Sequence, residues 1–323
     1  MLLRSLFCAA LLAATPALAL AQDFPVTLDH VWGETTIPAE PKRVVTWGWG
    51  NEDAAIALGT VPVGMPFQSY GGGEDGIQPW VEKALAAHDG EKPTIFPNAG
   101  EPPFEQIAAL EPDLILAVFS GVTEEQYALL SAIAPTVAYS GDAWSTSWQD
   151  VTRTIGAALG KSEEAEALVS ETTAWLQSEV DKHPALKEVT FASANDYDGS
   201  MAVYAPLDAR MKFLTDLGLT IDPSVAALGP NDGAFYYSLS YELLDDLKAD
   251  IFVTYYEEQS ALDTWLAQSY AANYPPVVNG GLAALVGTEN VAAVSPPSVL
   301  SLRWGFPTYL DVLATAAETV TKQ

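Results

Sequence analysis

The sequence predicts an α/β protein of two similarly built lobes joined by a single long α-helix. Three observations carry that reading. Strand and helix signals alternate in two separate stretches, one long amphipathic helical pattern lies between them, and a short segment recurs once at an offset of 137 residues. Strands alternating with helices imply parallel strands joined by crossovers.

In the first stretch, Arg43-Val44-Val45-Thr46-Trp47 is β-branched and runs into the turn Gly48-Trp49-Gly50. Glu52 to Leu58 reads as a short helix closed by Gly59, and Val61 to Gly64 as a second strand. Asp113 to Val118 is a continuous apolar run of buried-strand length. Glu124 to Ala134 is helical, and Thr136 to Tyr139 is another strand. Ser147 to Leu159 then predicts a helix ending at Gly160.

From Ser162 to His183, the apolar residues Ala165, Leu168, Val169, Leu176 and Val180 share one helical face. Glu163 and Glu164 complement the dipole of its first turn, and Pro184 follows its end. Such a helix is a rod of about 31 Å. Strand signals resume at Val189-Thr190-Phe191. Phe213 to Gly218 reads as a helix end, Leu243 to Leu247 as a short helix and Asp250 to Tyr255 as a buried strand. Gln259 to Gln268 is helical, and Pro307 to Thr321 is the C-terminal helix. The chain divides into a leader over 1–21, a first lobe over 22–145, a connector region over 146–185 and a second lobe over 186–323.

The recurring segment pairs Glu105, Leu110 and Asp113 with Glu242, Leu247 and Asp250. In each copy a Glu opens a short helix, a Leu buries its end and an Asp starts a buried strand. Each Glu taken alone is a first-turn residue facing the helix dipole. Two copies at matching places imply related lobes whose carboxylates face one partner.

With 14 Lys and Arg against 42 Asp and Glu, the net charge is −28. That balance excludes a nucleic-acid partner, which needs clustered cations, and docking on anionic lipid. Arg4 is the only charge before Asp23, Leu6 to Ala14 is apolar, and Ala19-Leu20-Ala21 is a small-x-small cleavage site. This predicts a secretory signal peptide cut near Ala21. The only cysteine, Cys8, lies inside that leader, too early for lipid attachment, so no disulfide is expected in the mature chain. The expectation is a soluble exported protein in a bacterial periplasm.

Enzyme signatures are scarce. His30, His88 and His183 sit at no metal-ligand spacing. His183 suits a helix C-terminus, and the other two read as exposed or loosely packed. There is no Gly-x-Ser-x-Gly and no P-loop. Aromatics are plentiful near the carboxyl ends of strands, where α/β sheets form ligand crevices: Trp47, Trp49, Tyr70, Trp144, Tyr197, Tyr236, Tyr237, Tyr255 and Trp304. Trp148 and Tyr256 stand beside them. An aromatic-lined cleft with few polar groups takes a small molecule.

Residues 30–320 resemble the periplasmic substrate-binding proteins of ABC importers for ferric siderophores, of the ferric-citrate and iron-hydroxamate type, related to the cobalamin binders. The resemblance rests on Ile37 to Val45, on Glu52 to Gly59, and above all on Pro103-Phe-Glu-Gln-Ile-Ala-Ala-Leu-Glu-Pro-Asp-Leu-Ile-Leu116. The segment Ser240-Tyr-Glu242 and the long helix complete it. It implies two Rossmann-like lobes bridged by one rigid helix, a class III periplasmic binding protein. It also implies a ligand between the lobes, no catalysis, and docking of Glu105 and Glu242 onto arginines of a permease with two transmembrane subunits. A monomer is expected.

Arg210 and Arg303 are the cations expected near the cleft, with Arg303 the stronger contact. An aromatic, weakly basic cleft suits a ferric hydroxamate or mixed-ligand chelate held by stacking and one or two cations. Cobalamin is the runner-up and haem ranks behind it. Iron would be held by the chelator alone, with no cofactor and no protein ligand to the metal. A competing expectation is an exported hydrolase with an acidic aromatic groove, which needs a carboxylate pair across the cleft.

Overall fold

The computed structural model describes residues 24–88, 90, 92–230 and 233–322. The expected leader and the Asn231-Asp232 part of a turn lie outside the described residues.

An antiparallel hairpin, β1 (Val26–His30) with β2 (Gly33–Ile37), opens the chain. The first lobe is a five-stranded parallel sheet of β3 (Val44–Thr46), β4 (Gly64–Pro66), β5 (Thr94–Phe96), β6 (Leu114–Ala117) and β7 (Thr136–Ala138), in the order β5-β4-β3-β6-β7. Its crossovers carry α1 (Asn51–Ala57), α2 (Pro79–Leu85), α3 (Phe104–Ala109) and α4 (Glu124–Ser131), and α5 (Trp148–Ala158) follows β7. Alternation along the strands divides the core. Val44, Leu114 and Leu116 join one cluster, whereas Val45, Ile115 and Ala117 join a second on the opposite face.

The connector helix α6 runs from Ser162 to Val180, a rod of about 28 Å. It buries Ala165, Val169, Thr172, Leu176 and Val180 on one stripe. The second lobe contains β8 (Thr190–Tyr197), β9 (Ser200–Tyr204), β10 (Thr220–Ile221), β11 (Tyr236–Leu239), β12 (Ile251–Tyr256) and β13 (Leu282–Val286), with α7 (Ala209–Asp216) after β9. The main path is β11-β9-β8-β12-β13, and β10 pairs with β8. This lobe is not a copy of the first, because β8 turns directly into β9 and pairs β8, β9 and β11 antiparallel.

The C-terminal helix departs most from expectation. It spans Val299–Thr321, starting well before Pro307. Ser298 caps it, its hydroxyl accepting the Ser301 N–H while the Ser301 hydroxyl accepts the Ser298 N–H. The helix packs on β12 and β13 and equally on α1, α2, α5 and α6. The larger hydrophobic cluster therefore runs through both lobes without interruption. The C-terminal helix thus adds packing across the lobes to the single connection that α6 makes between them.

The 137-residue correspondence has a structural cause. Asp113 accepts the N–H groups of Lys42 and Arg43 at 2.8 and 2.9 Å, fixing the entry to β3. Asp250 accepts the N–H of Thr190 at 2.7 Å, fixing the entry to β8. Each Asp pins the neighbouring central strand of its own sheet. The Glu242 segment is a 3₁₀ helix, Tyr241–Asp246, whereas α3 is α-helical.

Asp113→Ala and Asp250→Ala should each lower stability by about 1 kcal/mol, the usual net worth of a hydrogen bond. Urea unfolding should show this as a shifted midpoint with an unchanged slope.

Candidate functional site

The inter-lobe cleft is built from loops that follow strand ends. After β3, the turn Trp47-Gly48-Trp49 presses its backbone against Phe119, and the Trp49 N–H donates to the Phe119 carbonyl at 3.1 Å. A Cβ on Gly48 would lie 2.3 Å from that carbonyl, and its φ is +107°, so only glycine fits. After β7, Trp144 adopts φ +60° and is half exposed. Its ring meets Phe119 edge-on at 5.6 Å.

From the second lobe come Arg210 at the start of α7, Phe235, Tyr236 and the Ser295-Pro296 segment. With Trp49, Phe119 and Trp144 they enclose a cavity of about 400 Å³. Among the described residues Arg210 is the one cation there, and Asp208 grips it with two bonds of 2.7 Å. Its guanidinium lies 3.7 Å from the centre of the Tyr204 ring, and Nη1 reaches the Ser295 hydroxyl at 3.4 Å. The cavity wall thus carries one balanced ion pair amid aromatic surface. A second compartment of about 170 Å³ shares Trp49 and Trp144 with it and is lined by Trp47, Gln68, Asn98 and Gln126. Burial pushes the Tyr70 hydroxyl up to about 12, and its ring stands 6.5 Å from Trp49. A larger groove of about 530 Å³ shares Ala209 and Pro296 with the cleft. Its guanidinium, on Arg153, is committed to Glu166 and Asp150, and the groove offers little aromatic surface.

Beneath the cleft floor lies a buried polar cluster in the first turn of α1. Asn51 accepts the N–H groups of Val118 and Phe119 at 2.9 and 3.1 Å. Gln68 donates to the Gly48 carbonyl at 2.8 Å and to Glu52 at 2.9 Å. Asp53 accepts from Trp80 Nε1 at 2.7 Å and from the Ser298 hydroxyl. Desolvation raises both carboxyls, Glu52 to about 8 with help from the nearby Asp53 charge, and Asp53 to about 6 against the two bonds it accepts.

The structure brings Trp49, Trp144, Arg210 and Tyr236 together at the larger compartment, and Trp47 at the smaller. Several expected residues lie elsewhere. Arg303 stacks over Trp175 of α6 at 4.2 Å, and Trp304 packs against Trp80 at 5.6 Å. The cause is the early start of the C-terminal helix, which aims both at neighbouring helices instead of the cleft. Tyr237 faces inward, opposite Tyr236 as strand alternation demands, and donates to the Val225 carbonyl at 2.9 Å. Tyr255 is buried, its hydroxyl 2.7 Å from that of Tyr309. Tyr197 sits at the exposed β8–β9 tip and lines neither compartment. His30 is buried, bonded to Thr35 at 2.9 Å, and burial lowers its pKa. Phe119, Asp208, Phe235, Pro296, Gln68, Asn98 and Gln126 were missed. Only Asp208, two residues before Arg210, left a sequence signal, as the N-cap of α7.

Among the described residues, no group of three or more His, Cys, Asp and Glu could hold a metal ion, and no helix is long and apolar enough to cross a membrane. A family model described as periplasmic binding protein matches residues 44–296. The chain belongs to that family, whose members are solute-binding proteins. PiaA of Streptococcus pneumoniae TIGR4 in complex with ferrichrome is similar at 32% identity and a TM-score of 0.81, over 91% of this chain and 99% of that one. The Fe(3+) dicitrate-binding periplasmic protein FecB of Escherichia coli is 25% identical over 77% of this chain and 78% of its own. The probable siderophore-binding lipoprotein YfiY of Bacillus subtilis is 33% identical over 45% of this chain. The chain matches less than half the length of YfiY and of the ABC transporter substrate-binding lipoprotein YhfQ, 42% and 43%.

The raised carboxyls set a pH dependence. Folded Glu52 keeps its proton to about 8, against an ordinary value of 4.5. The folded chain then binds more protons than the unfolded chain, so stability falls as pH rises through that window and levels off above it. Thermal midpoints from pH 5 to 9 should decline for the native chain and decline less for Glu52→Gln.

Proposed function

We propose that this chain captures a ferric siderophore of hydroxamate or mixed-ligand type outside the cytoplasmic membrane and delivers it to an ABC importer. The observation that carries this reading is the aromatic cleft whose single cation, Arg210, is already balanced by Asp208. A strongly anionic chelate would find no uncompensated positive charge there. A charge-neutral ferric hydroxamate needs none and gains from ring contact and apolar burial. The similarity to a ferrichrome-bound protein supports the same choice. Iron enters only inside its chelator, and the protein performs no chemistry on it.

In this reading the leader is removed near Ala21 and the mature chain works as a free periplasmic monomer. Glu105 and Glu242, both exposed, dock on a permease of two transmembrane subunits, one carboxylate to each. Rim charges of this kind set orientation and encounter rate more than affinity.

Titration with ferric hydroxamate, citrate and catecholate complexes should quench tryptophan emission through Trp49 and Trp144, with the hydroxamates binding tightest. Arg210→Ala should weaken that binding severalfold, because it removes the group stacked on Tyr204 and leaves the Asp208 carboxylate unbalanced in the wall. Arg303→Ala should leave it unchanged, since Arg303 faces α6. A flat response to the whole panel would refute the ligand class. A Glu105→Ala, Glu242→Ala double variant should bind ligand normally yet fail to stimulate the transporter's ATPase; full stimulation would end the docking role.

A further inference from the structure

Trp144 divides the inter-lobe space into two compartments of different chemistry. Its indole stands where a side chain at residue 121 would be, since a Cβ on Gly121 would fall 2.4 Å from its Nε1. The ring is therefore seated by a glycine opposite, in addition to its edge contact with Phe119. On one side lies the compartment with the Arg210–Asp208 pair. The compartment on the other side has no charged residue in its lining.

What the smaller compartment offers is amide groups. Gln68 uses its Nε2 on Gly48 and Glu52, and its Oε1 meets no donor among the described residues. Gln126 accepts the Thr123 N–H with Oε1, leaving its NH₂ group free. Asn98, exposed, engages neither side-chain atom among the described residues. Free donors and free acceptors thus face one space of about 170 Å³, room for about five waters. A carboxylate or an ammonium group would lose hydration there without a counter-ion. An uncharged group that both donates and accepts would exchange its water bonds for protein bonds.

We propose that this compartment is a separate subsite for an uncharged, amide- or hydroxyl-bearing arm of the ligand, the portion outside its metal-chelating groups. The inference rests on the ferric hydroxamate reading above and adds a division of labour to it. The larger compartment takes the chelate, and the amide-lined one reads the scaffold that carries it. Trp144 stands between the two and sets their spacing.

Two probes separate the compartments. Ferrichrome carries its hydroxamates on a cyclic peptide, whereas ferric tris(acetohydroxamate) presents the same iron coordination with no scaffold. Both are titrated against the full chain, the Asn98→Ala variant, and an Asn98→Ala, Gln126→Glu double variant. Glutamate at 126 keeps an oxygen for the Thr123 N–H while removing the NH₂ group, its partly exposed position leaves the added charge hydrated, and thermal melting checks that both variants fold. The ratio of the ferrichrome to the tris(acetohydroxamate) association constant should fall about threefold in the single variant and about tenfold or more in the double variant, as expected for one and two lost hydrogen bonds. An unchanged ratio in both variants overturns the subsite while leaving the ferric hydroxamate reading intact. Failure of the native chain to bind either probe overturns that reading, and the subsite with it.

Discussion

The carboxylate of Asp53 sits where the lobes meet, and the arrangement of the molecule turns on how it is satisfied. It accepts from Trp80 within its own lobe and from Ser298, the residue that starts the C-terminal helix after the chain has returned from the other lobe. A buried carboxyl without donors would cost several kcal/mol. The pairing therefore favours one placement of that helix against α1. The residues on either side of Asp53 extend the same logic. Asn51 holds the end of β6, and Glu52 holds Gln68 beside the cleft. One turn of helix thus fixes a strand end, a cleft wall and the crossing between lobes. Trp49 adds to it by donating to the Pro296 carbonyl at 3.3 Å, on the segment that leads into Ser298.

That frame leaves a cleft wall of nearly balanced charge inside a strongly acidic protein. The chain carries 42 acidic residues, and their summed field repels anions at long range. Arg210 does not reverse this, because Asp208 holds its charge in a bidentate pair. What the cleft supplies is polarised aromatic surface: Arg210 on Tyr204, Trp144 edge-on to Phe119, and Trp49 near Tyr70. Keeping Trp144 at φ +60° costs about 1–2 kcal/mol. Such backbone strain persists where surrounding contacts enforce it and tends to gather at ligand sites. Here Phe119 and Gly121 enforce it.

The sequence was most informative where a residue's role is decided by its own neighbours in the chain. The buried strand Leu114–Ala117, the connector stripe from Ala165 to Val180 and the paired Asp113 and Asp250 were all legible, because periodicity and strand entry are local properties. The cleft was legible in part. Trp49 and Trp144 follow strands and Arg210 opens a helix, as α/β crevices require, whereas Tyr236 opens the edge strand β11. Arg303 and Trp304 stand away from the cleft because the C-terminal helix begins at Val299, well before the Pro307 that marks a helix start in the sequence. A Ser298–Ser301 capping pair, without the usual Glu or Gln, gave a weak signal against it. Tyr237 was misplaced because two adjacent strand residues cannot share a face. Gln68, Asn98 and Gln126 carried no signal, since two loops and the first turn of α4 meet only in the folded chain.

The two lobes share a frame but not a binding surface, and the division has a physical basis. The repeated elements, an Asp at the foot of a strand and a short helix before it, act on backbone N–H groups, which every residue but proline presents. Such bonds survive change in the surrounding side chains, so a correspondence at 137 residues stays readable. Several cleft residues, Trp47, Trp49, Gln68, Asn98 and Trp144 among them, lie in loops beyond the strand ends, where length and composition can vary without disturbing the sheet. In the second lobe the β8–β9 hairpin carries this furthest. It replaces a crossover, sends Tyr197 to an exposed tip, and places β11 at the sheet edge with Tyr236 at the cavity. The first lobe supplies tryptophan faces and amides, and the second supplies the ion pair and the edge-strand aromatics. A ligand spanning the cleft therefore meets two unlike walls, and selectivity follows from which of its parts faces each.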